Sequence, residues 1–536
     1  MAASTADWRE RIALHLLQVG AIAIVVASLP FKTFDLDRFF VVKELILHVS
    51  AVGAALLCLG SRRRLSLTAV DLLVAGFLGM SVVSAMFAQN WWLSGRALSI
   101  SLSGALLFWV GLTLRRAGLQ RQLLIAIAIA VVIGALTALV QAYAGATTDY
   151  FSLNRAPGGT FGNRNFMAHL AAIGAPAVVI AALSARTKVG FTLGALGSVI
   201  LSAALVLSRS RAAWLALVAA AVVIGGIAVV TRVSISGGRT WGRLRILGVA
   251  AAVGALAAAF LPNQLEWKST SPYLDSVRGV VNYKEGSGAG RLVQYTNSLR
   301  MASTHPILGV GPGNWAVVYP RFAERGDQSL AADEGMTDNP WPSSDWIAFV
   351  SERGFAATGF LALALIALVF RAIGDLRRAR GESDRERSTL GLMLIGTLTA
   401  TIVVGLFDAV LLIAIPTFFF WLLAGVLGPP VMGKRTLGKG VHEFAPALLV
   451  LFGALSIGRS AFQVAAMSTY SASPRLSGIA TASRMDPGSY RIRMRLADGY
   501  FARGDCVKAA TYASAARKLF PNAGDPRSVL RRCSTK

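Results

Sequence analysis

Residues 123–142 read LLIAIAIAVVIGALTALVQA, a run without a single charge. A helix rises about 1.5 Å per residue, so roughly twenty such residues cross the roughly 30 Å hydrocarbon core of a bilayer. Backbone polar groups in hydrocarbon must be satisfied within the segment or around a closed barrel. The run lacks the in–out alternation of a barrel strand, so it reads as a transmembrane helix. Working outward, similar stretches lie near 12–30, 39–60, 68–88, 94–114, 165–185, 190–208, 211–231, 245–262, 346–371, 388–409, 412–430 and 444–460. The expected fold is all-α, a polytopic membrane protein with about 12–13 transmembrane helices. Composition agrees: 54% of the 536 residues are hydrophobic and 15% charged, too little charge to coat a soluble protein of this length.

The net charge of +26 does not point to nucleic acid, because the basic residues sit in short loops rather than on one soluble face. Arg9 and Arg11, Arg62–Arg64, Arg115, Arg116 and Arg121, Arg186 and Lys188, residues 232–245, residues 371–387, and Lys434, Arg435 and Lys439 fall in alternate loops. Positive-inside bias then puts the N-terminus in the cytoplasm and the tail after residue 460 outside; an even span count would reverse the tail. Residues 12–29 read as a signal anchor rather than a cleaved leader. Cys58, Cys506 and Cys533 show no metal spacing. The expected division is 1–262 (nine spans), 263–345 (a large outside loop), 346–460 (four spans) and 461–536 (a helical tail). Loops as long as 145–165 and 262–345 are uncommon unless they work, and residues 290–304 suit an amphipathic helix on the membrane surface.

Three outside features contradict the charge bias. They are Ser208-Arg209-Ser210-Arg211; Arg155 and Arg164 around Gly162, Asn163 and Asn165; and Arg291, followed by His305 and the turn Gly309-Val310-Gly311-Pro312-Gly313-Asn314. Ionisable groups at membrane depth are functional candidates. Guanidinium forks suit phosphate, and glycine turns bring backbone amides to an anion. Plainer readings stand beside these. Arg209 and Arg211 also suit snorkelling, the Gly309 turn a tight connector, and His305 a turn cap. His169 is expected to hydrogen-bond within the bundle, and Lys43 to pair with Glu44 or snorkel.

Four blocks in order resemble the O-antigen ligase and polymerase superfamily of bacterial envelope glycosyltransferases. They are Gly159-Thr160-Phe161-Gly162-Asn163-Arg164-Asn165-Phe166-Met167-Ala168; Leu207-Ser208-Arg209-Ser210-Arg211; Gly290-Arg291 through Asn314; and Glu352-Arg353-Gly354-Phe355. The resemblance covers roughly residues 30–430. It implies an inner-membrane enzyme that transfers a glycan from a polyprenyl-diphosphate carrier to a lipid or protein acceptor at the periplasmic face. It implies no nucleotide, cofactor or metal. Arg211 and Arg291 match the family's diphosphate-binding arginines, and Arg164 stands where proline is more usual. One position departs. The family's ligases carry a His-Asn pair nine residues before the glutamate, and here Ser343 and Ser344 stand there, followed by Asp345. Serine is a poor base, so Asp345 is the expected substitute, with a helix cap as its plainer role. Glu352 reads as catalytic or structural.

In the tail, Leu496, Ala497, Tyr500, Gly504, Ala509, Ala516 and Pro521 fit tetratricopeptide-repeat spacing, with an ordinary helical hairpin as the alternative. So short an array is expected to dock on the large loop or on a partner protein. Cys506 and Cys533 can pair in an oxidising compartment. A transporter or flippase for lipid-linked sugars is the other class, expected to show inverted repeats and polar residues at mid-membrane. A non-catalytic scaffold is the third.

Overall fold

The computed structural model describes residues 6–61, 66–144, 156–231, 238–267, 269–281, 287–324, 326–331, 335–378, 383–429, 435–436 and 439–535. Arg155, Arg62–Arg64, Arg232 and Lys434 lie outside them. The chain is an all-α polytopic membrane protein. Among the described residues the extended structure is two-residue strands, Ser66–Leu67 paired antiparallel with Arg435–Thr436, and the single bridge Leu330–Thr337.

Each expected span falls on a helix. These are α1 (Trp8–Val26), α2 (Asp37–Leu59), α3 (Ala69–Met86), α4 (Trp91–Arg116), α5 (Gln120–Tyr143), α6 (Arg164–Leu183), α7 (Lys188–Ser208), α8 (Arg211–Thr231) and α9 (Gly238–Phe260). The large loop contributes α10 (Pro272–Val281) and α11 (Ser287–Thr304). Then come α12 (Asp345–Arg378), α13 (Ser383–Phe407), α14 (Ala414–Leu427) and α15 (Lys439–Ala472). Among the described residues, eleven of these helices are long and apolar enough to cross a membrane. The other two expected spans are α14, which has 14 residues, and α1, which opens on Arg9, Glu10 and Arg11.

The short α14 is the centre of the bundle, and all its residues are buried, as an all-round apolar helix requires. It lies against α4, where a Cβ on Gly425 would stand 2.2 Å from the Phe108 carbonyl oxygen. Only glycine permits that backbone approach, the usual device of membrane helix packing. The outer helices α8 and α9 expose Val218, Val222, Val229, Val249 and Leu256, a surface suited to lipid and not to water.

Helix α15 does not end at residue 460 but runs to Ala472. Its extension buries Ala466 and Met467 with Phe34 and Val41, which end-anchors the helix beyond its apolar run. The tail follows as α16 (Leu476–Met485), α17 (Tyr490–Ala502), α18 (Cys506–Leu519) and α19 (Gly524–Ser534). Ala497, Ala509, Ala513 and Ala516 are fully buried between the tail helices. Cys506 and Cys533 are bridged, with Cα atoms 5.3 Å apart. The tail docks on the large loop and on the ends of the first helices. Asn522 Nδ2 donates to the Val317 carbonyl (2.9 Å), Asn90 Nδ2 to Leu519 (3.1 Å), and Arg491 Nη2 to Asp35 (2.6 Å).

Lys43 does not pair with Glu44. Residues i and i+1 leave a helix in different directions, and the fully buried Lys43 ammonium donates to the carbonyls of Ala27 and Thr160. It pins the Gly158–Gly162 turn to the end of α1. Glu44 instead takes Arg96 (2.6 Å) and Arg459 (3.0 Å), tying α2 to α4 and α15.

Candidate functional site

The turn before α6 is built by its sequence. Gly162 is left-handed (φ 73°), and the Asn163 side chain caps α6 by accepting from the Asn165 amide at 2.9 Å. Arg164, the first residue of the helix, is half-buried. Asn165 then points across the bundle, and its Nδ2 donates to Asp408 Oδ2 at 3.3 Å. One turn on, His169 Nε2 lies 3.8 Å from the same oxygen. His169 is fully buried, and neither ring nitrogen has a hydrogen-bond partner among the described residues. The expected bond within the bundle is therefore absent; the ring's polar neighbour is the Asp408 carboxylate, just beyond hydrogen-bond reach.

Asp408 stands in the connection between α13 and α14. Its Oδ1 accepts from the Ala409 amide at 2.9 Å, and its side chain keeps 17% of its exposure. It is the one charged residue between Arg387 and Lys434, a signal for function that the sequence carried.

Helix α11 brings the loop to this point. Tyr295 Oη lies within donating distance of the carbonyls of Ser343 (2.7 Å) and Leu406 (2.8 Å), its one hydrogen going to either, close in the chain to Asp408. Gln294 Oε1 accepts from the Ser343 amide at 2.7 Å. Arg291 is one helical turn before Tyr295, on the same face of α11. Residues far apart in sequence thus come together here: Asn165 and His169 at the Asp408 carboxylate, and Tyr295 at the carbonyls of Ser343 and Leu406, the latter two residues before Asp408.

The other expected residues are placed differently. Asp345 is fully buried, and its two carboxylate oxygens accept from the amides of Val410 (2.8 Å) and Leu411 (2.9 Å). It fixes the loop that carries Asp408. Glu352 Oε2 accepts from the Gly313 amide (2.8 Å) and Oε1 from Trp315 (3.1 Å), so it shapes the glycine turn. Gly309 (φ 66°) and Gly311 (φ 100°) are left-handed there, and a Cβ on Gly309 would stand 2.3 Å from the Glu352 carbonyl carbon. His305 is exposed, with its ring on the Thr304 hydroxyl at 2.8 Å.

Arg209 ends α7 in the left-handed conformation (φ 52°), where glycine is usual. Its Nε donates to Ser276 Oγ at 2.9 Å, and its guanidinium lies 4.9 Å from the Trp267 ring centre. Burial lowers its pKa from the usual arginine value. Arg211 donates to the Gly279 carbonyl. Both arginines therefore meet α10, on the loop that also carries Arg291.

The residues from 196 to 355 match the family model for O-antigen ligase. Over these residues the chain is similar to O-antigen ligases. That stretch contains Arg209, Arg211, Arg291, Ser343, Asp345 and Glu352, while Asn165, His169 and Asp408 lie outside it. No curated protein matches the chain. Among the described residues no group of three or more His, Cys, Asp and Glu side chains has the geometry to hold a metal ion.

Proposed function

We propose that the chain is a bacterial inner-membrane glycosyltransferase that moves a glycan from a polyprenyl-diphosphate carrier to a lipid or protein acceptor at the periplasmic face. The approach of Asn165 and His169 to Asp408, beside the Tyr295 helix of the stretch that matches the O-antigen ligase model, carries the reading. In the reaction the acceptor hydroxyl oxygen attacks the anomeric carbon while the bond from that carbon to the diphosphate oxygen breaks. The polyprenyl diphosphate leaves with the electron pair, and the hydroxyl proton passes to Asp408. Arg211 and Arg291, with Arg209 and Arg164 nearby in the chain's outer loops, stabilise the charge growing on the diphosphate. The donor is already activated, so the step needs no nucleotide or metal. Asp345 and Glu352 are positioning residues in this reading. Ser343 acts through its backbone, which anchors Tyr295 and with it the arginine helix. The bridged Cys506–Cys533 pair supports an oxidising compartment for the tail.

The test is transfer by the purified protein in nanodiscs, with lipid-linked glycan and a panel of envelope acceptors. Arg291→Ala and Arg211→Ala are each expected to lower turnover by about 10²–10³ and to weaken donor binding, the usual cost of removing a charge-stabilising donor. Full turnover in both variants would sink the diphosphate role. The panel separates a ligase, whose acceptor is a different molecule, from a polymerase, whose acceptor is a second copy of the donor's own glycan.

A further inference from the structure

The docked tail closes one side of a cleft of about 1840 Å³. Its walls come from the start of α2, the start of α4, residues 336–341 of the large loop, α15 and the turn between α16 and α17. Trp91 and Trp92 present flat faces at 73% and 44% exposure, and Trp341 and Tyr490 line the wall as well. A cluster of exposed large aromatic side chains around a concave surface marks a place where something binds. The charged groups of the cleft are largely matched. Arg96 holds Glu44 and Asp37, the latter at 3.5 Å, and Arg459 shares Glu44. Asp486, also on the wall, is held above the usual carboxylate range by burial. A cleft with flat rings and balanced polar groups favours a ligand that is neutral, hydroxyl-rich and patterned with C–H faces.

The inner end decides where such a ligand leads. Gly162 and Asn163 line the cleft, two residues before Asn165. Trp341 meets Phe166 edge-on at 6.4 Å, and Phe166 meets His169 at 6.2 Å. The cleft therefore ends at Asn163 and Trp341, and the buried Phe166 ring stands between that end and the His169–Asp408 pair.

We infer that this cleft binds an oligosaccharide chain, several sugars long, with its inner end at Asn163 and Trp341 on the side of Asp408, and that the tail forms part of the binding wall. The ligand class rests on the transferase reading above, and the readout is binding alone. Sugar rings stack their C–H faces on Trp91 and Trp92, while Arg484 and Asp486 on the tail meet their hydroxyls.

The probe is a set of soluble oligosaccharides of graded length, cleaved from envelope polysaccharide and titrated into the full chain in nanodiscs. Saturation-transfer NMR reports contact and calorimetry reports affinity. The expected result is affinity that grows with chain length and falls about tenfold or more in Trp91→Ala/Trp92→Ala, the scale of losing one good aromatic contact. Arg484→Ala, exposed on the tail, is expected to weaken the long chains and spare the short ones. Absence of binding by the wild-type chain, or equal binding by the double variant, overturns the inference. In the transfer assay, competition of the oligosaccharide with the donor assigns the cleft to the donor's glycan, and competition with the acceptor assigns it to the acceptor's. Transfer without oligosaccharide binding would leave the transferase standing and remove the cleft. Binding without transfer would do the reverse.

Discussion

Asp408→Asn is expected to lower glycan transfer by about 10²–10⁴ while donor binding stays near wild type, the range for losing a positioned general base. The change is nearly isosteric. The Ala409 amide can still donate to the asparagine Oδ1, and the Asn165 side-chain amide can flip to accept from its Nδ2, so the loop should keep its shape while the proton acceptor is gone. Asp345→Asn is the informative contrast. Both oxygens of Asp345 accept from backbone amides, and an asparagine there turns its Nδ2 against an N–H. That variant should lose stability, and its residual activity should follow the folded fraction. His169 faces Asp408 at 3.8 Å, so His169→Gln should lower turnover more than it lowers donor affinity. A purely structural His169 would lower thermal stability, with turnover falling only in step with the folded fraction. Full turnover by Asp408→Asn across the pH range would remove Asp408 as the base.

The bundle was legible because about twenty apolar residues have few other fates. The site was legible in pieces. Arg209, Arg211 and Arg291 broke the charge bias, and their segments do gather on the large loop. Asp408 and His169 were equally visible as lone ionisable groups in apolar runs. What the sequence hid is that they face each other, since they are contributed by α6 and by a loop some 240 residues later. Expecting a base near position 343 pointed to Asp345, whose neighbour Ser343 does reach the same cluster through its carbonyl. The side chain that occupies the centre comes from another element. Glu44 shows the same limit, because its partners Arg96 and Arg459 lie 52 and 415 residues away. Adjacent opposite charges in a helix suggested the wrong pair, since helical geometry separates neighbours.

Glu352→Ala is expected to destabilise the protein by about 3–5 kcal/mol, the cost of stripping one partner from a buried charged network. Its two oxygens satisfy the amides of Gly313 and Trp315, and its own carbonyl accepts from Gly311 at 2.8 Å. Its neighbour Arg353 is 1% exposed, held by the hydroxyls of Ser81 (3.2 Å) and Ser101 (2.8 Å) between Phe77 and Phe349. Without Glu352 that guanidinium loses the adjacent negative charge that offsets it. Glu352→Gln should recover much of the loss, because its Oε1 still accepts one amide while its Nε2 opposes the other. The measurement is thermal unfolding in detergent beside transfer at a temperature where both variants remain folded. A structural glutamate predicts a large fall in melting temperature for alanine, a smaller one for glutamine, and near-normal turnover by whatever remains folded. A catalytic glutamate predicts the opposite split: alanine that melts like wild type and transfers nothing. The geometry favours the first outcome, because both carboxylate oxygens already face backbone N–H groups and the residue is 2% exposed.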